Sequence, residues 1–549
     1  MDAAKLSSFG AWMRSVGAKW DGVAMRASPD GQRGACVVAT RAVAEGTVLL
    51  SLPKAAVLSV RTASNSEALE AVLEAGLDAD AALNLAVAHE RGRGRASRWF
   101  GYLDTLPEAE PLPFLWSEAE LRLLAGTGLD KAARRRRREL EREYAELRQW
   151  RNANRSAGLV LPSLDAYLAA ASLTSSRAFH VDAWHGEALV PGADVFNHKA
   201  ALVPEGCEVE GEEGEVGEMG EEEDEDNEEG EADGEEGEDG EACEGDEGVV
   251  GEDDDEEGED DDEEGEDDDE EDDAVRLADA DLREGARLAA GRLGIDLQMD
   301  CTLHNLGGGG EEAGGEAEAE TGAGPEAAAE EVVAMRAMRA LRRGAEVFNT
   351  YGEHGDRTLL SQYGFVLGST NNAMDVAPLP WATLRAAAEA ALGTAAARHR
   401  EQELHAAGCW RQVLGRAFAF DRLGRPPRRL LLAAWLLCSD GALTEAEVER
   451  FLALPLGSQL APRGVRVSPR TVLLEAVRAQ ARRFDEARSG EEDAEGEVRP
   501  QVARDAATLV EGQRAIWRAA EEQLGAAAEQ EAPELSRGRG GTKRRREHK

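Results

Sequence analysis

Cysteine is scarce and scattered. The six residues Cys36, Cys207, Cys243, Cys301, Cys409 and Cys438 form no Cys-x-x-Cys pair. That excludes the usual structural zinc spacing and supplies no disulfide framework, so a reducing compartment and no metal are expected. Long apolar runs are also missing. The longest, residues 430–438, is far shorter than the roughly 20 residues a bilayer-spanning helix needs, so no membrane association is expected. Basic residues are outnumbered, 62 Lys and Arg against 110 Asp and Glu, for a formal net charge of −48. The deficit is local. Residues 205–273 hold 45 Asp and Glu and no Lys or Arg, which leaves the rest of the chain within three charges of neutral. A like-charge block of this kind cannot bury enough apolar area to offset chain entropy, and disorder is expected there.

What remains has a clear order. The opening "MDAAKLSSFGAWMRSVGAKW" carries basic residues and serines in the manner of a transit peptide, and nothing in it resembles a secretory signal. However, Leu6, Phe9, Met13 and Val16 share one helical face and Gly17 follows them, so the segment reads as the first helix of the fold. "GACVVATRAVAEGTVLLSLPKAAVLS" (residues 34–59) reads as short β-rich runs punctuated by Glu45-Gly46 and Pro53, which suggests short strands and a hairpin. Residues 66–150 read as helices. The run Arg134 to Arg138 suggests nucleic acid at first sight, but Glu139, Glu141 and Glu143 at helical spacing favour a solvated, self-paired face, and no direct nucleic-acid binding is expected. Residues 164–198 read as a helix, a strand and a buried apolar turn. "GIDLQMDCTLHNL" reads as one strand, and residues 332–347 as strand, turn at Arg343-Gly344, and strand. From about residue 382 the pattern is helical again: "WATLRAAAEAALGTAAARHREQELHAAGCWRQVL", "RRLLLAAWLLC" and "RVSPRTVLLEAVRAQARRFDEA" all carry apolar residues at helical spacing, and a last helix covers roughly residues 502–528.

Three separated pieces carry the chemistry: "RGACVVATRAVAEG", "SSRAFHVDAWHGEALVPGADVFNH" and "GAEVFNTYGEHGDRTLLSQYGFV". In the last, Tyr351 and Tyr363 stand twelve residues apart, each followed by glycine. In this order the three pieces resemble the SET-domain protein methyltransferases. The similarity is to the Rubisco large-subunit lysine methyltransferase-like branch, which includes SET-domain-containing protein six and the fungal ribosomal lysine methyltransferases. The resemblance implies S-adenosylmethionine as cofactor and a protein lysine as acceptor. It implies that Tyr351 is the catalytic tyrosine. Cofactor contacts fall on the backbone of Arg33, Gly34 and Ala35, on Arg177, on Asn197 and His198, and on Tyr363. Tyr363, Phe365 and Trp116 fall on the substrate side. The family often shows Gly-x-Gly where this chain has Gly34-Ala35-Cys36, with Cys36 read as a packed residue. For Arg177 the alternative is a structural ion pair, with Asp182 as the nearest carboxylate in sequence. For Trp116 the alternative is packing of the helical insert.

The expected fold class is α+β, a β-rich SET fold with a helical insert and an all-α C-terminal substrate-binding domain. The expected organisation is SET N-terminal part, 1–65; helical insert, 66–163; SET core, 164–203; acidic insert, 204–274; SET core strand region, 275–306; low-complexity linker, 307–330; SET C-terminal part, 331–380; helical substrate-binding domain, 381–530; and basic tail, 531–549. The expected partner is a basic protein substrate, ribosomal or nuclear, met by a monomer. A short "KRRR" cluster at residues 543–546 points to the nucleus, the cytoplasm or both. Two rival readings stand beside this one. One is a degenerate SET scaffold serving as an acidic chaperone, which the 45 carboxylates suggest. The other is histidine methylation, disfavoured by a tyrosine at position 363.

Overall fold

The computed structural model describes residues 3–28, 34–199, 300–306, 331–352, 354–368, 371–406, 418–439, 467–489 and 497–538. The acidic block, the 307–330 linker, the "KRRR" cluster and Arg33 lie outside the described residues.

The first helix is Ala3–Ser15. Its predicted face is the buried one, with Phe9 and Met13 in the core, and the turn closes where Ala18 N–H reaches back to the Met13 carbonyl. Among the described residues ten strands follow: β1 (Lys19–Trp20), β2 (Val23–Ala27), β3 (Ala35–Ala39), β4 (Val48–Pro53), β5 (Ala178–Asp182), β6 (Gly186–Leu189), β7 (Cys301–Leu306), β8 (Val332–Ala337), β9 (Val376–Leu379) and β10 (Phe418–Asp421). Strands β1, β4, β8 and β7 make an antiparallel sheet in that order; β2–β3, β5–β6 and β9–β10 are separate pairs. Strand β4, "VLLSLP", is apolar almost throughout, as befits a central strand with Leu49, Leu50 and Leu52 all buried.

The hairpin expected within residues 34–59 does not form. β3 pairs with β2 (Val23 opposite Ala39), while β4 pairs with β1 and β8. The turn is there, but it docks on another strand: Gly46 N–H donates to Ala337, and Val43 bridges to Leu341. Likewise the second half of residues 332–347 makes no regular strand. After the turn at Arg343-Gly344, Glu346 forms an isolated bridge with Val38.

Helices Ser66–Glu74, Ala79–Gly92, Leu129–Ala153 and Leu164–Arg177 pack beside the sheet. The arginine run on Leu129–Ala153 is spent on carboxylates: Arg134 on Glu118 and Asp130, Arg136 on Glu139 and Glu143, Arg137 on Glu141. It is a charged, self-paired face.

Among its described residues the C-terminal region is helical apart from β10, which pairs with β9. This strand departs from the all-α expectation for the region, and it was missed because "FAFD" is only four residues long. The first helical stretch, from residue 381, forms two helices, Trp381–Leu392 and Thr394–Ala406, on either side of Gly393. Helices Arg428–Cys438, Pro469–Ser489 and Pro500–Gly538 complete a second apolar core around Leu384, Leu430, Leu436, Val477 and Trp517. The last helix starts at Pro500, where a missing N–H costs nothing. A third cluster joins the regions. Trp116, Leu121, Leu124 and Leu129 meet Leu360 and also Val502 and Leu509. Beside it, the buried Glu120 accepts Arg499 Nε at 2.7 Å.

Candidate functional site

The three chemistry-bearing pieces of the sequence meet around residues 345–351. On one side Val347 N–H donates to Val37 and Ala345 accepts from Ala39, tying this segment to β3. On the other, Asn349 N–H donates to Asn197 and its carbonyl accepts from Lys199. Asp300 and Cys301 both donate to the Phe348 carbonyl, and the buried Asp300 carboxylate takes Phe348 N–H at 2.9 Å and pairs with Arg339. The segment is therefore held by backbone bonds from three directions before any ligand arrives.

Tyr351 emerges from this clamp half-buried. Its phenol donates to the Phe196 carbonyl at 3.1 Å, and its backbone N–H donates to His198 Nδ1 at 3.0 Å. Because Nδ1 accepts, a neutral His198 carries its proton on Nε2. The Tyr363 phenol donates to the Tyr351 carbonyl at 3.2 Å, and the two rings lie 4.9 Å apart. His198 sits 5.1 Å from the Tyr351 ring, and Phe365 closes the group at 6.4 Å from both tyrosines. His354 adds a fifth ring, 6.0 Å from Tyr363, with Nε2 at 3.0 Å from the Tyr351 carbonyl.

The two Tyr-Gly pairs have a backbone cause. Gly364 ends helix Asp356–Tyr363 at φ +76°, and Gly352 turns the chain at φ +120°. Side chains rarely adopt such angles. Each glycine lets the chain turn sharply just after a tyrosine, so both rings are left facing one space.

Behind the rings lies a charged trio. Arg177, at the end of helix Leu164–Arg177, meets Glu110 (Nε to Oε1, 2.7 Å) and Asp194 (Nη1 to Oδ2, 3.2 Å). Tyr102 donates to the same Asp194 oxygen at 2.9 Å. The anticipated partner Asp182 is engaged elsewhere, with Lys54 at 2.7 Å and with His185. Burial lowers the Arg177 pKa, but Glu110 and Asp194 more than reverse this and hold the guanidinium charged. Burial pushes the Asp194 carboxyl up, opposed by Arg177. Burial likewise raises the Tyr351 phenol well above its usual value, eased by Arg177 and reinforced by Asp194. Tyr351 is thus a neutral hydroxyl at physiological pH, within electrostatic reach of the trio.

Asn197 donates to Glu346 Oε1 at 2.7 Å and lies 3.4 Å from the Ala35 carbonyl. That places the start of β3, with Gly34 and Ala35, against the same wall. A Cβ at Gly34 would meet nothing within 4 Å, so the chain there borders open space. Cys36 is buried, as a packed residue should be.

Trp116 does not join this group. It is buried, donates its indole N–H to Pro111 at 2.8 Å and packs on Leu121, Leu124 and Leu360. It supports the helix that carries Tyr363 from behind and does not line the ring cluster. Sequence reasoning missed Glu110, Asp194, Glu346 and His354 as neighbours of the site. Asp194 stood in the "GAD" turn that drew attention to Asn197, whereas Glu110 lies in a helical-insert loop with no local signal.

No described helix is long and apolar enough to cross a membrane. Among the described residues, no group of three or more His, Cys, Asp or Glu side chains is placed to hold a metal ion.

No protein-family model matches the chain. Among curated proteins it is similar to ribosomal lysine N-methyltransferase 3 of Saccharomyces cerevisiae, 31% identical over 204 residues, covering 32% of this chain and 36% of that protein. It is also similar to an actin-histidine N-methyltransferase of Drosophila melanogaster, 30% identical over 146 residues and covering 26% of each chain. The matched part thus spans about a third or less of these relatives' length. Among solved structures, the SET domain of LSMT bound to lysine and AdoHcy superposes with a TM-score of 0.54 at 15% identity, covering 97% of this chain and 93% of that one. The likeness extends over nearly the whole chain and shows the fold to be the α+β SET fold.

Proposed function

We propose that this SET-fold chain transfers methyl groups from S-adenosylmethionine to the side-chain amine of a lysine in a protein substrate. The observation that carries the reading is the convergence of the Tyr351 phenol, the Phe196 carbonyl and the Tyr363 and Phe365 rings on one half-buried space.

The residues present fit this cofactor. Aromatic faces and a carbonyl oxygen attract a sulfonium, as they attract other cations. The trio of Arg177, Glu110 and Asp194 carries one excess negative charge, which complements a ligand with two cationic groups and one carboxylate. Arg177 is the group to orient that carboxylate, and Asn197, His198, Gly34 and Ala35 would hold the remainder, with Tyr363 beside them. When bound, the cofactor supplies an electrophilic methyl group.

The chain's own residues do the rest. A free lysine has a pKa of about 10.4, so presenting its neutral amine at pH 7 costs roughly 4–5 kcal/mol. Enclosure between Tyr363 and Phe365 removes water and favours the neutral form. Tyr351 remains protonated, so it acts as a fixed dipole that orients the amine and not as an anionic base. The proton leaves to solvent. The C-terminal helices dock the substrate protein. A basic substrate suits a chain of net charge −48, and a monomer acting in the cytoplasm, the nucleus or both fits the reading. The test is methyl transfer from labelled cofactor to fractionated cell extract, with the modified residue identified by mass spectrometry. Label on lysine supports the proposal; label on histidine, or none, contradicts it.

A further inference from the structure

Asp356 opens the helix that carries Tyr363, and it is fully buried. A carboxylate removed from water is costly unless its oxygens are hydrogen-bonded. Three neutral donors bond to this one. Leu367 N–H meets Oδ1 at 3.1 Å, Gly368 N–H meets Oδ2 at 2.7 Å, and Asn372 Nδ2 meets Oδ1 at 2.8 Å. Leu367 and Gly368 lie just past Phe365. The helix, Tyr363 and Phe365 are therefore one loop of chain, closed at its base by a single side chain.

Asn372 is buried as completely. Its amide has only one workable orientation. Met374 N–H donates to Oδ1 at 3.0 Å, while Nδ2 faces two acceptors, the Asp356 carboxylate and the His354 carbonyl at 2.9 Å. His354 in turn holds its Nε2 at 3.0 Å from the Tyr351 carbonyl. The seat beneath is tight, since a Cβ on Gly355 would come within 2.9 Å of the Met374 carbonyl oxygen. One buried pair thus reaches both sides of the aromatic space: the Tyr351 side through His354, and the Tyr363 and Phe365 side through Leu367 and Gly368.

We infer that Asp356 and Asn372 are positioning residues that fix the distance between Tyr351 and the wall made by Tyr363 and Phe365, and so set how bulky an amine the site accepts. The inference rests on the lysine methylation proposed above. Both side chains act through the residues they hold. A monomethyl amine is larger than an unmodified one, and an extra methyl forced against a packed wall is repelled. A wall held at a fixed distance therefore discriminates between the two acceptors, and a loosened wall discriminates less.

The test uses the full chain and a peptide spanning the lysine that labelled cofactor marks in cell extract. The peptide is synthesised with an unmodified and with a monomethyl lysine. The ratio of kcat/KM on the two forms, monomethyl over unmodified, is read by mass spectrometry for wild type, Asp356→Asn and Asn372→Ser. Asp356→Asn keeps the size but turns an N–H toward one of the three donors. Asn372→Ser is the milder change and cuts the reach to His354. The ratio is independent of how much enzyme is folded, so lost stability alone leaves it unmoved. Each substitution should raise it by roughly two- to tenfold, the range for one net hydrogen bond, while S-adenosylmethionine affinity holds. A ratio at or below wild type in either folded variant overturns the inference and leaves the proposed function standing. So does a ratio that rises only together with a loss of cofactor affinity. No transfer to lysine by the wild-type chain would instead contradict the proposed function, and this inference with it.

Discussion

The Tyr363 phenol donates to the backbone carbonyl of Tyr351, so the second tyrosine of the pair fixes the turn that carries the first. Tyr363→Phe keeps the ring and removes this bond. A neutral hydrogen bond is worth about 0.5–1.5 kcal/mol net, so turnover should fall roughly two- to tenfold while cofactor affinity holds. Steady-state kinetics and calorimetric titration separate the two. An unchanged rate would remove Tyr363 from the working face of the site.

Arg177 sits between Glu110 and Asp194, and its loss leaves two carboxylates facing each other. Arg177→Ala should weaken S-adenosylmethionine binding and cost about 3–5 kcal/mol of stability, the usual penalty for breaking a buried pair. Asn197→Ala tests the cofactor wall without that structural burden, and its affinity should fall by about 0.5–1.5 kcal/mol. Calorimetric titration reads both. Wild-type affinity in folded Asn197→Ala and Arg177→Ala proteins contradicts the assignment.

Glu120 joins the helical insert to the start of the last helix. Burial works against its ionisation, but Arg499 and the Ser117 and Arg499 backbone N–H groups outweigh it and hold the carboxyl at about 2. Its folded pKa lies below the unfolded value, so its contribution is full above about pH 4.5 and is lost as the pH falls toward 2. Glu120→Gln should be less stable by about 1.5–3 kcal/mol at pH 7. Denaturant titrations across pH should show the gap shrinking through that window. A gap independent of pH would rule out the linkage.

Lys199 and Asp300, the described residues on either side of 200–299, lie close together, since Lys199 bonds to Asn349 and Asp300 to the adjoining Phe348. A short Gly-Ser linker in place of residues 205–273 should keep the melting temperature, because closure entropy depends only logarithmically on loop length. Near the site, the 45 carboxylates should draw basic proteins and raise their encounter rate at low salt. The deletion should lose that salt-sensitive enhancement on a basic substrate and methylate a neutral peptide as well as the wild type. Equal rates on the basic substrate at every salt concentration would assign the block no such role.

Much of this was legible in the chain. The apolar stripe Phe9–Met13 gave the first helix, and the three motif pieces named the segments that meet at Tyr351. Local chemistry carried those signals: helical spacing in one case, glycine after tyrosine in the other. Glu110 was invisible because its partner Arg177 stands 67 residues away in sequence. The β3–β4 hairpin was misjudged because a turn signal at Gly46 says where the chain bends and not which strand it bends toward. Trp116 stayed open between substrate contact and packing because an aromatic side chain reads the same whether it faces substrate or Leu360.

The central claim is that Tyr351 orients the accepting amine. It is tested most directly by single-turnover methyl transfer with Tyr351→Phe, on whichever protein the labelled cofactor marks in cell extract. The expected result is a rate lower by roughly tenfold to a thousandfold, the range for one oriented catalytic group, with S-adenosylmethionine affinity nearly unchanged and the label on lysine. A rate equal to wild type in the folded variant would contradict it.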